Sequence, residues 1–286
     1  MGLGNGDQKL LIINADDFGM CCSTNQAIET LFEEKAITSS SLMMTCPWMT
    51  QAANLANTHR FDVGVHLTFT SEWKDYKWGP ISSFAHPVPF VDEFGNFPED
   101  VSPIGLAIVD DIKQECIAQI ECALLMGVDV THLDIHMLSL QIGSAEPFMS
   151  TVIELCANYG LPLRMPRQPS APIPHNEKLI RLADTKGVKL PDHVVVLPFQ
   201  LPSKAQRYSF VIEYVSECLR NLKPGITEIV FHPSVESNEL RAITDTWEIR
   251  HFEYMVFREP LIQSIIREQN IQLIGWKELR SLQRGD

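Results

Sequence analysis

Residues 10–20 read LLIINADDFGM, and the rest of the chain can be placed around this stretch. Its first four residues are apolar without interruption, which is typical of a short strand buried on both faces. Asp16 and Asp17 follow where that strand is predicted to end, and Gly19 permits a sharp turn after them. In an extended backbone their carboxylates would point to different sides, so one could hold a cation while the other faces water or substrate. The alternative is an aspartate pair that only caps a helix.

The overall composition is that of a soluble globular protein, with 286 residues of which 45% are hydrophobic and 21% charged. The net charge of -13 and the lack of Lys or Arg runs argue against nucleic acid or an anionic membrane as a partner. No segment is long and apolar enough for a membrane span and no signal pattern opens the chain, so we expect a cytoplasmic location. The seven cysteines lack C-x-x-C spacing and are interpreted as reduced thiols.

Strand and helix patterns alternate about eight times along the chain. The predicted strands are residues 10–13, 38–45, 62–69, 130–136, 161–165, 194–197, 227–232 and 271–274. The longest helices are predicted at 104–126, 204–222 and 247–267, and a kink at Pro260 is left open in the last of them. This alternation predicts an α/β fold, a distorted (β/α) barrel that is TIM-barrel-like with about seven or eight strands; an open doubly wound sheet is the alternative. We expect residues 1–8 to be a flexible leader and residues 9–286 to form one domain.

The pattern is lost between residues 70 and 103, where prolines alternate with aromatic residues. A loop of this length inside a compact domain is usually functional or disordered, and its aromatic residues favour a function. We predict that Trp73 and Trp78 bind substrate by stacking on a sugar or another planar group. A small core that packs the loop down is the alternative.

Titratable residues occur at the predicted ends of separate strands, which is where the reactive groups of such barrels lie. Besides Asp16 and Asp17, these include His66 and His136. One carboxylate and two imidazoles form a common ligand set for a divalent cation that keeps open positions. We therefore predict Asp17, His66 and His136 as metal ligands and Asp16 as a general base.

Three further strand ends carry polar side chains. His132 and Asp134 alternate with His136 on one strand, and three polar residues on one face of a buried strand require partners. Arg164, near the end of the fifth predicted strand, is predicted to bind substrate. His232, at the end of the seventh, is predicted to protonate a leaving group.

Four motifs carry a resemblance to a known family: NADDFG at residues 14–19, GVHLT at 64–68, THLDIH at 131–136 and FHP at 231–233. In this order and spacing the chain resembles the YdjC-like family of carbohydrate deacetylases, which includes chitooligosaccharide deacetylase, from about residue 9 to about residue 280. The resemblance implies a barrel-like fold related to polysaccharide deacetylases. It also implies removal of acetyl groups from N-acetylated sugars with the help of a divalent cation.

The family's functional positions fall on the residues already singled out. The resemblance implies that Asp16 is the base, that Asp17, His66 and His136 bind the metal, and that His232 is an acid. The sequence departs from the family after His136, where many members have further histidines and this chain reads MLSL at residues 137–140. Any contribution of those histidines to substrate binding or proton transfer is absent here.

Together these observations predict a metal-dependent hydrolase that removes the N-acetyl group from a small-molecule sugar or an oligosaccharide. One divalent cation, Mg²⁺ or Zn²⁺, is the expected cofactor, and a homodimer is left open. The alternatives are a non-catalytic, metal-containing sugar-binding protein and a different metal-dependent barrel enzyme.

Overall fold

The structure, a computed structural model, describes residues 7–141, 146–198 and 207–286. The strands are β1 (Lys9–Phe18), β2 (Ser39–Leu42), β3 (Val63–Leu67), β4 (Val130–Ile135), β5 (His193–Val196), β6 (Gly225–Phe231) and β7 (Gln272–Leu273). The helices are α1 (Cys22–Glu33), α2 (Met49–His59), α3 (Val109–Leu125), α4 (Glu146–Tyr159), α5 (Glu177–Lys186), α6 (Arg207–Arg220), α7 (Asn238–Ile243), α8 (Trp247–Val256), α9 (Pro260–Glu268) and α10 (Trp276–Arg284). Short 3-10 helices lie at Ser102–Leu106 and His136–Leu138.

The strands of the described residues form one parallel sheet in the order β4-β3-β2-β1-β6-β5, with β7 paired to the start of β1. β1 is the central strand, and Leu11, Ile12 and Ile13 within it are fully buried. The first half of β1 is covered on both faces, which explains its uninterrupted apolar run, whereas the buried polar residues Asn14, Asp16 and Asp17 lie in its second half. The result is a parallel α/β half-barrel, so the prediction of a distorted barrel is confirmed.

The predicted fifth strand is wrong, because residues 161–165 contribute only an isolated bridge between Leu133 and Leu163. The segment still connects the two edges of the sheet. Leu133 N donates to Pro162 O at 3.0 Å on the β4 side, and Leu163 N donates to Lys189 O at 3.0 Å on the β5 side. Because proline has no backbone N–H, this segment cannot form a complete strand ladder.

Other boundaries differ for local reasons. The predicted helix over residues 247–267, in which a kink at Pro260 was left open, is two separate helices, α8 and α9. Pro260 cannot continue the first of them and instead begins the second. Helices α5 and α7 were not predicted; they are short and are capped by the side chains of Asn176 and Ser237. Residues 1–6 of the predicted leader, and residues 204–206 of a predicted helix, lie outside the described residues. No helix in the described ranges is long and apolar enough to cross a membrane.

The long segment after β3 has its own packed interior. Phe69, Phe90 and Phe97 are buried to at least 99%, and the Phe69 ring centroid lies 5.7 Å from that of Phe90 and 5.8 Å from that of Phe97. These rings form the small core that was considered as an alternative to ligand binding. The segment is therefore held in a defined position beside the sheet.

His132 is a core histidine beneath the carboxyl ends of the strands. Its ring is fully buried and stacks on Trp276, with ring centroids 4.5 Å apart. Gly64 on the neighbouring strand makes room for it, since a Cβ there would lie 2.5 Å from the His132 ring. His132 Nδ1 forms a hydrogen bond with Thr131, whereas the buried Nε2 has no hydrogen-bond partner among the described residues and lies 3.9 Å from Asp134 Oδ2.

We expect His132 to destabilise the protein in acid. Burial lowers its pKa from the ordinary 6.5 to about 3, so the unfolded chain takes up a proton that the folded chain does not. Stability from this residue is therefore present above pH 6.5 and lost as the pH falls, by about 3 kcal/mol at pH 4.5.

The measurement is urea unfolding of the wild type and of His132→Phe, which keeps a ring against Trp276. Between pH 7 and pH 4.5, the free energy of unfolding of the wild type should fall by about 3 kcal/mol more than that of the variant. A difference that is constant with pH would contradict the assignment.

Candidate metal centre

The strand ends bring the predicted site residues together. Asp16 and Asp17 lie near the end of β1, His66 near the end of β3, His136 directly after β4 and His232 directly after β6. All five line one cavity of about 430 Å³. Residues from four separate strands therefore face the same space, as the barrel pattern predicted.

The backbone at Asp17 is left-handed, with a φ of 67°. This conformation is uncommon for residues other than glycine and often occurs at functional sites. The expectation that Asp16 and Asp17 point to different sides is therefore wrong, because the turn at Asp17 breaks the alternation of an extended strand. His66 Nε2 lies 3.7 Å from both Asp16 Oδ2 and Asp17 Oδ1.

Three buried donor atoms form a compact triangle: Asp17 Oδ1, His66 Nε2 and His136 Nδ1. The two ring nitrogens lie 3.3 Å apart, and they are 3.7 Å (His66) and 3.4 Å (His136) from the Asp17 oxygen. Two ligands that are each about 2.1 Å from a tetrahedral ion are about 3.4 Å apart. The triangle therefore fits three ligands of one small cation.

The outer nitrogens of both histidines meet carboxylates. His66 Nδ1 lies 2.7 Å from Asp134 Oδ1, and His136 Nε2 lies 2.9 Å from Glu72 Oε1. An ionised carboxylate only accepts hydrogen bonds, so these ring nitrogens carry the hydrogens. In the neutral rings, the lone pairs of the other two nitrogens are then directed into the triangle, which is the usual arrangement of metal-binding histidines. The pKa of His136 is raised to about 10, so a cation that binds here would replace the second proton of this ring.

Asp17 carries a buried negative charge that is only partly neutralised. Arg250 Nη1 donates to Asp17 Oδ2 at 2.7 Å, whereas the buried Oδ1 has no hydrogen-bond partner. Burial raises the pKa of Asp17, but Arg250 and the nearby His136 outweigh it and hold this pKa well below 3.8. A buried, charged oxygen without a donor is the kind of atom that a cation satisfies.

The surroundings of His136 also favour positive charge. Burial lowers its pKa, but the Glu72 and Asp17 carboxylates outweigh burial and raise the pKa to about 10. The same two carboxylates would stabilise a bound cation beside the ring.

Asp16 is held by a buried arginine. Arg164 donates from Nη1 to Asp16 Oδ2 and from Nη2 to Oδ1, both at 2.7 Å, and Asn14 Nδ2 donates to Oδ1 at 2.8 Å. The Arg164 guanidinium also pairs with Asp134 at 2.7 Å and with Glu228 at 2.9 Å. Arg164 lines the cavity, but these contacts show it as the residue that fixes Asp16; its contact with substrate stays a prediction.

His232 lies beside Asp16, with its Nε2 atom 4.0 Å from Asp16 Oδ2. Burial outweighs the neighbouring carboxylates and lowers the pKa of His232 to about 4. The ring is therefore neutral near pH 7. Glu253 lies on its other side, 3.8 Å from Nδ1, and burial raises the pKa of Glu253 to about 7.

The cavity has a charged floor and an apolar wall. The wall consists of Ile135, Met137, Leu138, Pro172, Ile173, Val196 and Val230. Trp73 lines the cavity, and its binding of substrate stays a prediction, but the prediction for Trp78 needs correction. Trp78 is only 3% exposed, packs edge-on against Trp73 at 5.4 Å and is not among the residues that line the cavity. It therefore supports Trp73 rather than offering a stacking surface.

Sequence reasoning missed Glu72 and Arg250. Glu72 directly precedes Trp73 in a segment where only the aromatic residues indicate a function. Arg250 lies within the predicted helix over residues 247–267, in which no residue was predicted to belong to the site. Their partners are 64 and 233 residues away in the sequence, so no local pattern indicated the contacts.

The fold and the site define a class: parallel α/β half-barrel proteins with a buried Asp-His-His cluster at the carboxyl ends of the strands. The chain belongs to the family of YdjC-like proteins, whose family model matches residues 10–268. The resemblance seen in the sequence motifs is thereby confirmed.

Similar proteins cover almost the whole chain. A carbohydrate deacetylase of Thermoanaerobacter pseudethanolicus is 28% identical over 277 residues, covering 95% of this chain and 100% of the relative. One of Thermus thermophilus is 27% identical over 289 residues, covering 97% and 96%. A solved structure from Enterococcus faecalis, described as a cellobiose-phosphate cleavage protein, has a TM-score of 0.77 at 24% identity and covers 95% of this chain and 99% of that one. This last similarity shows a shared fold.

Proposed function

We propose that the protein is a metal-dependent carbohydrate deacetylase that removes the acetyl group from an N-acetylated sugar. The observation that carries the proposal is the triangle of Asp17, His66 and His136 with a fourth group, Asp16, beside it in one cavity. The names of the relatives from Thermoanaerobacter and Thermus, which match this chain over nearly its full length, support the same activity.

Asp17, His66 and His136 would hold one divalent cation. When bound, such a cation polarises a carbonyl group and makes a water molecule more acidic. Two imidazoles suit Zn²⁺ or another transition ion better than Mg²⁺, and both ions belong in the test. The unpartnered Oδ1 of Asp17 and the fixed tautomers of the two histidines are what fit this assignment.

Asp16 would act as the general base. Arg164 keeps its carboxylate oriented, and Asp16 Oδ2 faces the same cavity as the triangle. The oxygen accepts a proton from the attacking water as the new bond to the amide carbon forms. Because the carboxylate is held in place, little reorganisation accompanies this step.

His232 would deliver a proton to the departing nitrogen. Its low pKa means that the ring must first receive a proton, and Asp16 Oδ2 lies 4.0 Å from Nε2. This separation is longer than a hydrogen bond, so Asp16 would pass on the proton taken from water through a bridging water molecule. His232 would then give the proton to the amine as the C–N bond breaks. The products are acetate and the free amino sugar.

The walls of the cavity suit a sugar ring. Trp73 and several aliphatic side chains line the cavity, so the C–H faces of a pyranose can pack on them. The hydroxyl and amide groups can meanwhile reach the polar floor. This arrangement supports a small-molecule substrate; a cytoplasmic location and a homodimer stay predictions.

The test is acetate release from a panel of N-acetylated monosaccharides and oligosaccharides, with Mg²⁺, Zn²⁺ or a chelator. We expect release from at least one sugar and its loss on chelation. Protein that binds the cation but releases acetate from none of them would contradict the proposal and favour a sugar-binding protein without catalysis.

A further inference from the structure

We propose that Glu72 is a positioning residue of the metal centre, through which the aromatic segment, residues 70–103, becomes part of that centre. The inference rests on the metal site of the proposed function but not on the reaction. The Glu72 carboxylate contacts one predicted metal ligand, His136, and neither of the residues proposed to transfer protons, Asp16 and His232.

Glu72 and Asp134 occupy equivalent places. Asp134 contacts the outer nitrogen of His66 at 2.7 Å, and Glu72 contacts the outer nitrogen of His136 at 2.9 Å. Each carboxylate fixes which nitrogen carries the hydrogen and how the ring is turned. Asp134 lies on the strand next to His66, whereas Glu72 reaches His136 from outside the sheet.

His136 needs this support more than His66 does. His66 lies within β3, which is paired on both sides, whereas His136 lies just beyond β4. Met137 and Leu138, which follow it, have left-handed backbones with φ values of 54° and 53°. The orientation of the His136 ring therefore depends on side-chain contacts. The contact on its outer nitrogen, Nε2, is the hydrogen bond to Glu72.

The aromatic segment fixes the backbone that leads into Glu72. Ser71 N donates to Pro98 O at 2.7 Å, and Ser71 Oγ accepts from Trp78 N at 3.1 Å. Trp78 Nε1 donates to Thr70 O at 2.8 Å. These bonds hold the backbone around Glu72 against the packed interior of the segment.

Cation binding and the order of the aromatic segment should therefore be linked. If order in the aromatic segment strengthens cation binding, then cation binding must stabilise the ordered segment by the same free energy, because such coupling is reciprocal. Trp73 follows Glu72 and lines the cavity, and the Trp78 ring centroid is 6.5 Å from that of His136. Tryptophan fluorescence thus gives a readout of the segment during cation titration.

The experiment measures Zn²⁺ affinity of the full chain by isothermal titration calorimetry, together with tryptophan fluorescence. We expect Glu72→Ala to bind Zn²⁺ about 10- to 100-fold more weakly, as for other outer partners of metal-bound histidines. Glu72→Gln should lose about 3- to 10-fold, because its amide oxygen can still accept the hydrogen bond. The fluorescence change on Zn²⁺ binding should be smaller in Glu72→Ala than in the wild type.

Glu99→Ala is the matched control. Glu99 pairs with Lys77 in the same segment at 2.9 Å, is exposed and does not line the cavity. It should bind Zn²⁺ as the wild type does. Far-UV circular dichroism checks folding, and if Glu72→Ala does not fold, a loss of threefold or more in Glu72→Gln supports the proposal.

Several results would overturn the proposal. The first is a Zn²⁺ affinity within threefold of the wild type in whichever Glu72 variant folds. The second is an equal loss of Zn²⁺ affinity in Glu72→Gln and Glu72→Ala. The third is a loss of Zn²⁺ affinity in Glu99→Ala that equals the loss in Glu72→Ala. Equal losses in the two Glu72 variants would mean that charge alone matters. Because the readout is cation binding, a failure of acetate release on the sugar panel leaves this result unaffected, and the reverse also holds.

Discussion

Asp16→Asn should abolish most of the acetate release while leaving cation binding intact. Asparagine keeps the shape of the side chain but cannot take a proton from water. Removal of a general base typically costs about 10²- to 10⁴-fold in rate. Zn²⁺ affinity should stay within about threefold of the wild type, because Asp16 is not one of the three ligands. A residue that is not a ligand typically changes metal affinity by 10- to 100-fold only when it holds a ligand in place through a hydrogen bond.

The fold should survive this substitution. Arg164 keeps two other carboxylate partners, Asp134 and Glu228, so its buried charge is not left unpaired. Glu228→Gln is a control, since it removes the negative charge of one partner of Arg164, and Glu228 does not line the cavity. Its rate should fall much less than that of Asp16→Asn. An Asp16→Asn variant that keeps more than a tenth of the wild-type rate would remove Asp16 from the mechanism.

His136→Ala should lose the cation and the activity together. Two of three ligands remain, and the affinity for Zn²⁺ should fall by more than about 100-fold, since an outer partner alone contributes 10- to 100-fold. His136 is a cleaner site to test than Asp17, because removal of Asp17 would leave the buried Arg250 without its carboxylate partner. Metal content by elemental analysis and acetate release are measured on the same preparation.

His175→Ala is the matched control for the loss of an imidazole. His175 is exposed in the proline-rich loop before α5 and does not line the cavity. It should retain wild-type metal content and rate. Unchanged metal content in His136→Ala would mean that the cation, if one binds, is held elsewhere.

The sequence predicted what local patterns control. The apolar run before Asp16 indicated a central buried strand, and the alternation of strands and helices indicated the parallel half-barrel. His66 and His136 could be placed at strand ends for the same reason. Parallel strands share one carboxyl edge, so side chains at their ends meet regardless of their distance in the sequence.

The rest depends on contacts that no local pattern records. The left-handed backbone at Asp17 turns its carboxylate toward the same cavity as Asp16, although the sequence alone indicates alternation. Trp73 and Trp78 look equivalent in the sequence, and only the packing of the aromatic segment decides which of them faces the cavity. Arg250 contacts Asp17 across 233 residues from a helix that no pattern in the sequence connects to the site.

The most direct test of the metal centre is a crystal structure of the protein grown with Zn²⁺, with anomalous data collected on both sides of the zinc absorption edge. We expect one strong peak within about 2.0–2.3 Å of Asp17 Oδ1, His66 Nε2 and His136 Nδ1. Crystals at saturating Zn²⁺ with no peak among these three atoms, or with the ion bound only elsewhere, would contradict the account.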